Sequence, residues 1–187
     1  MQPASAGHNS EKLIRFELVT TATQWLHASA VRSICFMEEH GMAADWLFDG
    51  NDYMATHVVV YDGAEPVGTA RIRWFKDFAK IERTSFRKAY RSIGMLKAFA
   101  DFVFEHIGRK GYTRVITHAS EKYARLWRTI LGFKASTKEP ACFEGHEPYF
   151  EIWKDIEPAS DAIGLDTKCI VLFRTEGHWD EPDAIEH

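Results

Sequence analysis

Three strand-like runs follow one another between His57 and Phe86, and no other stretch constrains the fold as tightly. His57–Tyr61 (HVVVY) is β-branched and apolar, Asp62-Gly63 is a turn pair, and Pro66–Phe75 (PVGTARIRWF) resumes as strand. Asp-Gly between such runs specifies a tight antiparallel hairpin. Lys80–Phe86 (KIERTSF) adds a third run. A basic turn, Arg87–Arg91, then leads into a helix from Ser92 to about Gly108. Its apolar residues Ile93, Leu96, Phe99, Phe102, Val103 and Ile107 keep helical spacing. Arg114–Thr117 (RVIT) reads as the next strand. A strand, a helix and a strand in that order make a crossover unit, which sets a parallel pair into a sheet otherwise antiparallel.

The flanks extend this pattern. Residues 13–19 (LIRFELV) read as a first strand, and Thr21–Glu39 as a helix bearing Trp25, Leu26, Ala30, Val31, Ile34 and Cys35 at helical spacing. His40–Tyr53, rich in Gly and Asp, reads as a loop with a short helical turn. Ser120 is placed to cap a helix Glu121–Leu131 that Gly132 closes, with Tyr123, Leu126, Trp127, Ile130 and Leu131 on its buried side. Tyr149–Trp153 (YFEIW) and residues 168–173 (KCIVLF) are further strands. The order β-α-β-β-β-α-β-α-β-β describes an α/β (α+β) chain: a single domain with a mixed, mostly antiparallel central sheet flanked by helices. Residues 1–11 read as a disordered N-terminus, 12–156 as the folded domain, and 157–187 as an extension with one strand and a loose acidic tail.

Composition narrows the function. A chain of 187 residues buries enough surface for one core without a metal or disulfide. The formal charge of −4 argues against nucleic acid as a partner, though a local basic pocket for a small anion remains compatible with it. Three cysteines, an odd number without close pairing, point to a reducing, cytoplasmic setting. Residues 1–12 lack the apolar core of a secretory signal, and no apolar stretch reaches the length of a membrane span. Cys142-x3-His146 and Cys169-x8-His178 lack the paired spacing of zinc sites, so no metal is expected. The 13 Phe, 6 Trp and 6 Tyr suit either a thick core or a pocket.

The stretch Lys80–Leu96 (KIERTSFRKAYRSIGML) carries the chemistry. A helix begins directly after a turn with Arg87, Lys88 and Arg91, and Gly94 lies in its first turn. The first N–H groups of a helix have no internal partner and sit at the positive end of its dipole, so the junction suits an anion. An ordinary turn with solvated cations fits the same residues. Arg71 and Arg73 alternate on one strand and face one side, either to orient an anionic acceptor or simply as solvated charges.

In sequence order, VRSICFMEEHGM (31–42), the Asp49/Asp52/His57 spacing, PVGTARIRW (66–74), KIER (80–83), Arg91-Ser-Ile-Gly94, Gly111, RVITHAS, LGF (131–133) and FEGHEPYFEIW (143–153) follow one another. Together they resemble the GNAT superfamily of acyl-CoA-dependent N-acetyltransferases, particularly small bacterial members, over about two-thirds of the chain. The resemblance makes residues 12–156 a GNAT-like acyltransferase domain. It implies that the strand KIERTSF splays from RVITHAS and that acetyl-CoA, or another acyl-CoA, lies in the gap. The pantetheine arm would bond to the backbone of Thr84, Ser85 and Phe86, and the pyrophosphate would rest on Arg91, Ser92, Ile93, Gly94, Met95 and Leu96. Leu96 departs from the family pattern, which has a small residue there; its side chain either crowds the phosphates or turns inward along the Ile93–Leu96–Phe99 stripe.

Acetyl transfer to an amine needs a base for the amine proton, a donor for the oxyanion and often an acid for the leaving thiolate. Glu82 is the candidate base, unless it serves only to pair with a neighbour such as Arg73 across the strands. The oxyanion donor would be a backbone N–H near Thr84–Phe86. The family's Tyr is replaced by Arg128, so Tyr123, one turn earlier, is the candidate acid, with core packing as its other role. His146 matches a family His near the acceptor. The implied acceptor is a small amine or a protein amine, attacked directly in a ternary complex, with no nucleic acid or membrane partner and a homodimer left open. Two variants share the fold: a catalytically silent acyl-CoA or protein-binding module, and an N-acyl synthase taking longer chains from a carrier protein, for which Phe99, Phe102 and Phe104 leave room.

Overall fold

The computed structural model describes residues 13–182, so the expected disordered segment 1–11 lies outside the described residues. Gly63 turns the central hairpin at φ +60°, a left-handed conformation that glycine adopts without a Cβ clash. The hairpin joins β2 (Thr56–Asp62) to β3 (Glu65–Trp74). Around it lie β1 (Ile14–Leu18) beside β2 and β4 (Ala79–Phe86) beside β3, all antiparallel. Ser92 caps α3 (Ile93–Arg109) through the Met95 N–H, and α3 carries the chain over to β5 (Arg114–Ala119), parallel to β4. The helix α4 (Glu121–Leu131) ends at Gly132 with φ +73°. A two-residue β6 (Lys134–Ala135) and then β7 (Phe150–Asp155) complete a seven-stranded sheet of order β1-β2-β3-β4-β5-β7-β6.

The two faces of this sheet have opposite chemistry. Val58, Ala70, Ile72, Ile81, Val115 and Ile152 point to one face, where Phe99, Val103 and Ile107 of α3 and Trp127 of α4 form the core with them. Phe102 and Phe104 are partly buried and pack against the same core as Phe99. The other face is covered by α1 (Ala22–Arg32), which starts at a Thr21–Gln24 capping box and runs on as a π-helical segment, Ser33–Glu38. Ala28, Val59 and Tyr61 pack under α1. Beyond them the face turns polar. His57 pairs with Arg71, Arg71 with Glu82, and His118 with Glu151. Since Lys80 is in parallel register with Ile116, alternation puts Glu82 and His118 on that same face. One cross-strand row of charged and imidazole groups thus runs from β2 to β7.

Three expectations are corrected. KCIVLF is not a strand: Cys169–Leu172 is one turn of helix, α5, whose N–H groups find partners three residues back, as in Val171 to Lys168 at 3.0 Å. Ile170, Leu172 and Phe173 are exposed there, and no sheet edge is paired with them. The described part of the acidic tail is not loose. Glu176 accepts bonds from Thr56 (3.0 Å) and Lys110 (3.1 Å) and meets His106 at 3.1 Å, while Trp179 stacks on His106 at 5.5 Å. On α4 the buried stripe is Ala124, Trp127 and Leu131; Tyr123 and Leu126 lie on its exposed flank.

Candidate active site

β4 and β5 hold together only from Ala79 opposite Val115 to Ile81 opposite Thr117. β4 nevertheless continues to Phe86, and β5 turns its last residues to β7. The strands therefore part at Glu82 and His118, leaving one edge of residues 82–86 outside any ladder described. On its other edge β4 is irregular too. Thr69 pairs with Ser85 and Arg71 with Glu82, so Arg83 and Thr84 together oppose Ala70. This bulge is closed by Arg83 at φ +55°, the non-glycine residue with positive φ among those described. Gly68 makes room for the strand end: a Cβ there would lie 2.5 Å from the buried Phe86 ring.

The gap opens toward the first turn of α3. Arg91, Ser92, Ile93 and Gly94 are exposed, and a Cβ at Gly94 would meet nothing nearer than the Ser92 hydroxyl at 4.0 Å. Leu96 resolves in the inward sense: it is 8% exposed and belongs to the core with Phe99. The helix end is thus unobstructed, and an acyl-CoA pyrophosphate fits it. Two of the three cations expected there are engaged, Arg87 with Glu65 and Arg91 with Glu39 at 2.6 Å; Lys88 is exposed. Arg91 also donates to the Phe86 carbonyl at 2.7 Å, which ties the phosphate turn to the end of β4.

On the polar face, a loop containing α2 (Ala44–Leu47) and a 3-10 turn, Gly50–Met54, roofs the charged row. Arg71, expected to be solvated or free for an acceptor, is 2% exposed and is the hub. It donates to Asp49 at 2.6 and 3.1 Å, to Asp52 at 2.8 Å, and to Glu82 at 2.6 and 3.0 Å. Arg32, fully buried, donates to Asp52 at 2.8 Å and to the Leu47 carbonyl, holding the roof down. Lys80 reaches Glu82 at 2.6 Å, whereas Arg73, the partner expected from sequence, stands 3.8 Å away because its in-register neighbour is Lys80. Arg83 donates to the Trp46 carbonyl and lies 3.5 Å from Asp49.

Burial disfavours the ionised form of Glu82, but Lys80 and Arg71 outweigh it and hold the carboxyl below its ordinary value. Asp49 and Asp52 are depressed by the same balance: Arg71 bonds outweigh burial at the first, and Arg32 with Arg71 at the second. His118 is also held below the value of a free imidazole, because burial and then Lys80 disfavour its cation. It meets Glu151 at 3.6 Å, and its Nδ1 is buried without a hydrogen-bond partner among the described residues. Near neutral pH the point where the strands part therefore offers an ionised Glu82 and an uncharged His118.

His146 is brought to this side by an aromatic bridge: its ring lies 4.4 Å from Trp46, which also meets Phe143 at 4.9 Å. Tyr123 is not in the core; it is 43% exposed on the first turn of α4, with the Lys122 ammonium 5.5 Å from its ring. In the sequence Asp49 and Asp52 stood out only as spacing, Arg32 only within the motif 31–42 and Trp46 not at all, because their roles come from contacts between distant segments. Among the described residues no helix is long and apolar enough to cross a membrane.

No family model matches the chain. An acetyltransferase candidate of Bacillus subtilis (strain 168) is 30% identical over 123 residues, 64% of this chain and 83% of that protein. The crystal structure of an N-acetyltransferase candidate from Lactobacillus plantarum superposes with a TM-score of 0.69 at 25% identity, covering 76% of this chain and 97% of the other. A GNAT family acetyltransferase from Elizabethkingia anophelis, solved with acetyl-CoA bound, superposes with a TM-score of 0.60 at 12% identity, over 76% of this chain and 98% of that one.

Proposed function

The chain belongs to the GNAT family of N-acetyltransferases, and from that premise we propose that it moves an acetyl group from acetyl-CoA to a primary amine by direct attack while both are bound. The observation that carries this reading is the parting of β4 from β5 beside an unobstructed α3 N-terminus. Thr84, Ser85 and Phe86 would hold the pantetheine arm through their backbone. The open amides of Ile93 and Gly94 would hold the pyrophosphate, with Arg91 fixing the turn. Leu96, turned inward, removes the main objection to acyl-CoA binding.

In this reading the amine enters over the polar face between the roof loop and the Trp46–His146 bridge. Its nitrogen attacks the thioester carbonyl; the C–S bond breaks and the CoA thiolate leaves. A backbone N–H freed by the bulge at Arg83–Thr84 serves the oxyanion. The surplus ammonium proton passes to Glu82. Because Arg71 and Lys80 make that carboxylate a weak proton acceptor, the transfer runs through water rather than by a lasting protonation of Glu82. Tyr123, exposed on the first turn of α4, supplies a thiolate proton only if its ring swings inward. His146 lines the acceptor side. The test is release of free CoA with a pool of primary amines: E82Q should lower kcat about 100-fold or more while leaving acetyl-CoA affinity unchanged. An unchanged kcat would remove Glu82 from the mechanism.

A further inference from the structure

The charges of the polar face do not balance. Five cationic side chains, Arg32, Arg71, Arg73, Lys80 and Arg83, share three carboxylates, those of Asp49, Asp52 and Glu82. All eight are at least two-thirds removed from solvent, with side-chain exposures from 0% for Arg32 to 28% for Arg73 and Asp49. Glu151 is matched by Lys138 at 2.9 Å, and burial keeps the two imidazoles of the row, His57 and His118, toward their neutral forms. Asp45, Glu144 and Glu147 are exposed neighbours of the Trp46–His146 bridge, where water and salt screen them. An excess of two positive charges is therefore left inside the site of a chain whose net charge is −4.

That excess is concentrated where an acceptor must lie. Arg83 sits in the bulge between Glu82 and Thr84 and reaches under the bridge by which Trp46 joins the roof loop to His146. Its partners are weak for a guanidinium: one neutral carbonyl, and a carboxylate 3.5 Å away that already takes two bonds from Arg71. Its Nε is buried with no partner among the described residues. Burial first, and then Arg71 and Arg32, disfavour its cation more than Asp49 and Glu82 favour it. An acceptor that brought only an ammonium into this field would be repelled. One that brought an anion as well would complete the charge balance.

We propose that the acceptor is a primary amine that also carries an anionic group, a carboxylate or a phosphate, and that Arg83 binds that group. The inference rests on the acetyltransferase reading and adds the acceptor class to it. Arg83 can present two N–H groups to such an oxyanion, the geometry that suits guanidinium better than ammonium. Lys80 and Arg73, on the same face, contribute field rather than contact.

The experiment measures CoA release from acetyl-CoA with matched amines: L-phenylalanine against phenethylamine, and O-phosphoethanolamine against ethanolamine. At least one member with an anionic group should exceed its counterpart without one about 10- to 100-fold in kcat/KM, the worth of a charge-assisted hydrogen bond; which pair shows it tells carboxylate from phosphate. R83M should erase that preference through KM, and R83K should restore part of it. Folding is checked for each variant by thermal unfolding. Faster turnover of the amines without an anionic group overturns the inference while leaving the acetyltransferase reading intact, and so does a preference that survives in R83M. Failure of acetyl-CoA to bind, or of every amine to release CoA, overturns that reading and this inference with it.

Discussion

Replacing Arg71 by Met removes the hub of the polar face and leaves its shape nearly filled. Arg71 is 2% exposed and makes five bonds of 2.6–3.1 Å to Asp49, Asp52 and Glu82. Without it Asp52 keeps Arg32 and Glu82 keeps Lys80, but Asp49 retains only the Asn51 N–H at 3.0 Å and the long contact to Arg83. Breaking a buried ion pair by deleting one partner costs about 3–5 kcal/mol, which for a domain of this size lowers Tm by about 10 °C. The pH dependence follows from the depressed carboxyls. In the wild type the stability that Arg71 lends them is present above their unfolded values and is lost as pH falls through their lower folded values. In R71M those depressions shrink or reverse, so acid costs the variant less than it costs the wild type. Urea unfolding followed by tryptophan fluorescence should show the gap nearly constant from pH 7 to about pH 4.5 and narrowing as pH falls from there toward 2, and D49N should recover part of the loss in R71M. A loss below about 1 kcal/mol, or a gap that does not change with pH, would refute the hub role.

Two further substitutions separate packing from function. L96A should cost about 2–5 kcal/mol as a core truncation without tightening acetyl-CoA binding; a clear gain in affinity would mean that Leu96 crowds the phosphates after all. At Glu176 a bond from His106, followed by Lys110 and Thr56, holds the carboxyl down to about 2. The full shift corresponds to roughly 3 kcal/mol, and screening at a side chain 40% exposed reduces it to about 1–2 kcal/mol. E176Q should lose that amount at pH 7, and the wild type should lose the same share as pH falls from about 4.5 toward 2. Equal stability of the two proteins at pH 7 would mean that the extension is not clamped there.

What was legible in the chain was whatever depends on neighbours in sequence. Asp62-Gly63 specified its hairpin, the 3.6-residue stripe specified α3, and Gly132 marked the end of α4, because each signal and its consequence lie within a few residues. The motif order over Val31–Trp153 then placed the parting strands and the open helix end correctly. The hub was not legible, since Arg32, Asp49, Asp52, Arg71 and Glu82 meet only after α1, the roof loop and two strands are assembled. The bulge was hidden for a different reason: Arg83 is not the glycine or asparagine that advertises a left-handed residue. KCIVLF misled because β-branching favours a strand only where an edge is available to pair with it. Tyr123 misled because a single periodic stripe does not say where its boundary falls.

The central claim is that acetyl-CoA lies between β4 and β5 with its pyrophosphate on the α3 N-terminus. Calorimetric titration of the protein with acetyl-CoA and, separately, with S-acetylpantetheine tests it directly. The account predicts one saturable site for acetyl-CoA, with Kd on the order of micromolar to hundreds of micromolar, and at least about tenfold weaker binding of the phosphate-free analogue. No heat from acetyl-CoA at high micromolar concentration, or equal affinity for the two ligands, would contradict it.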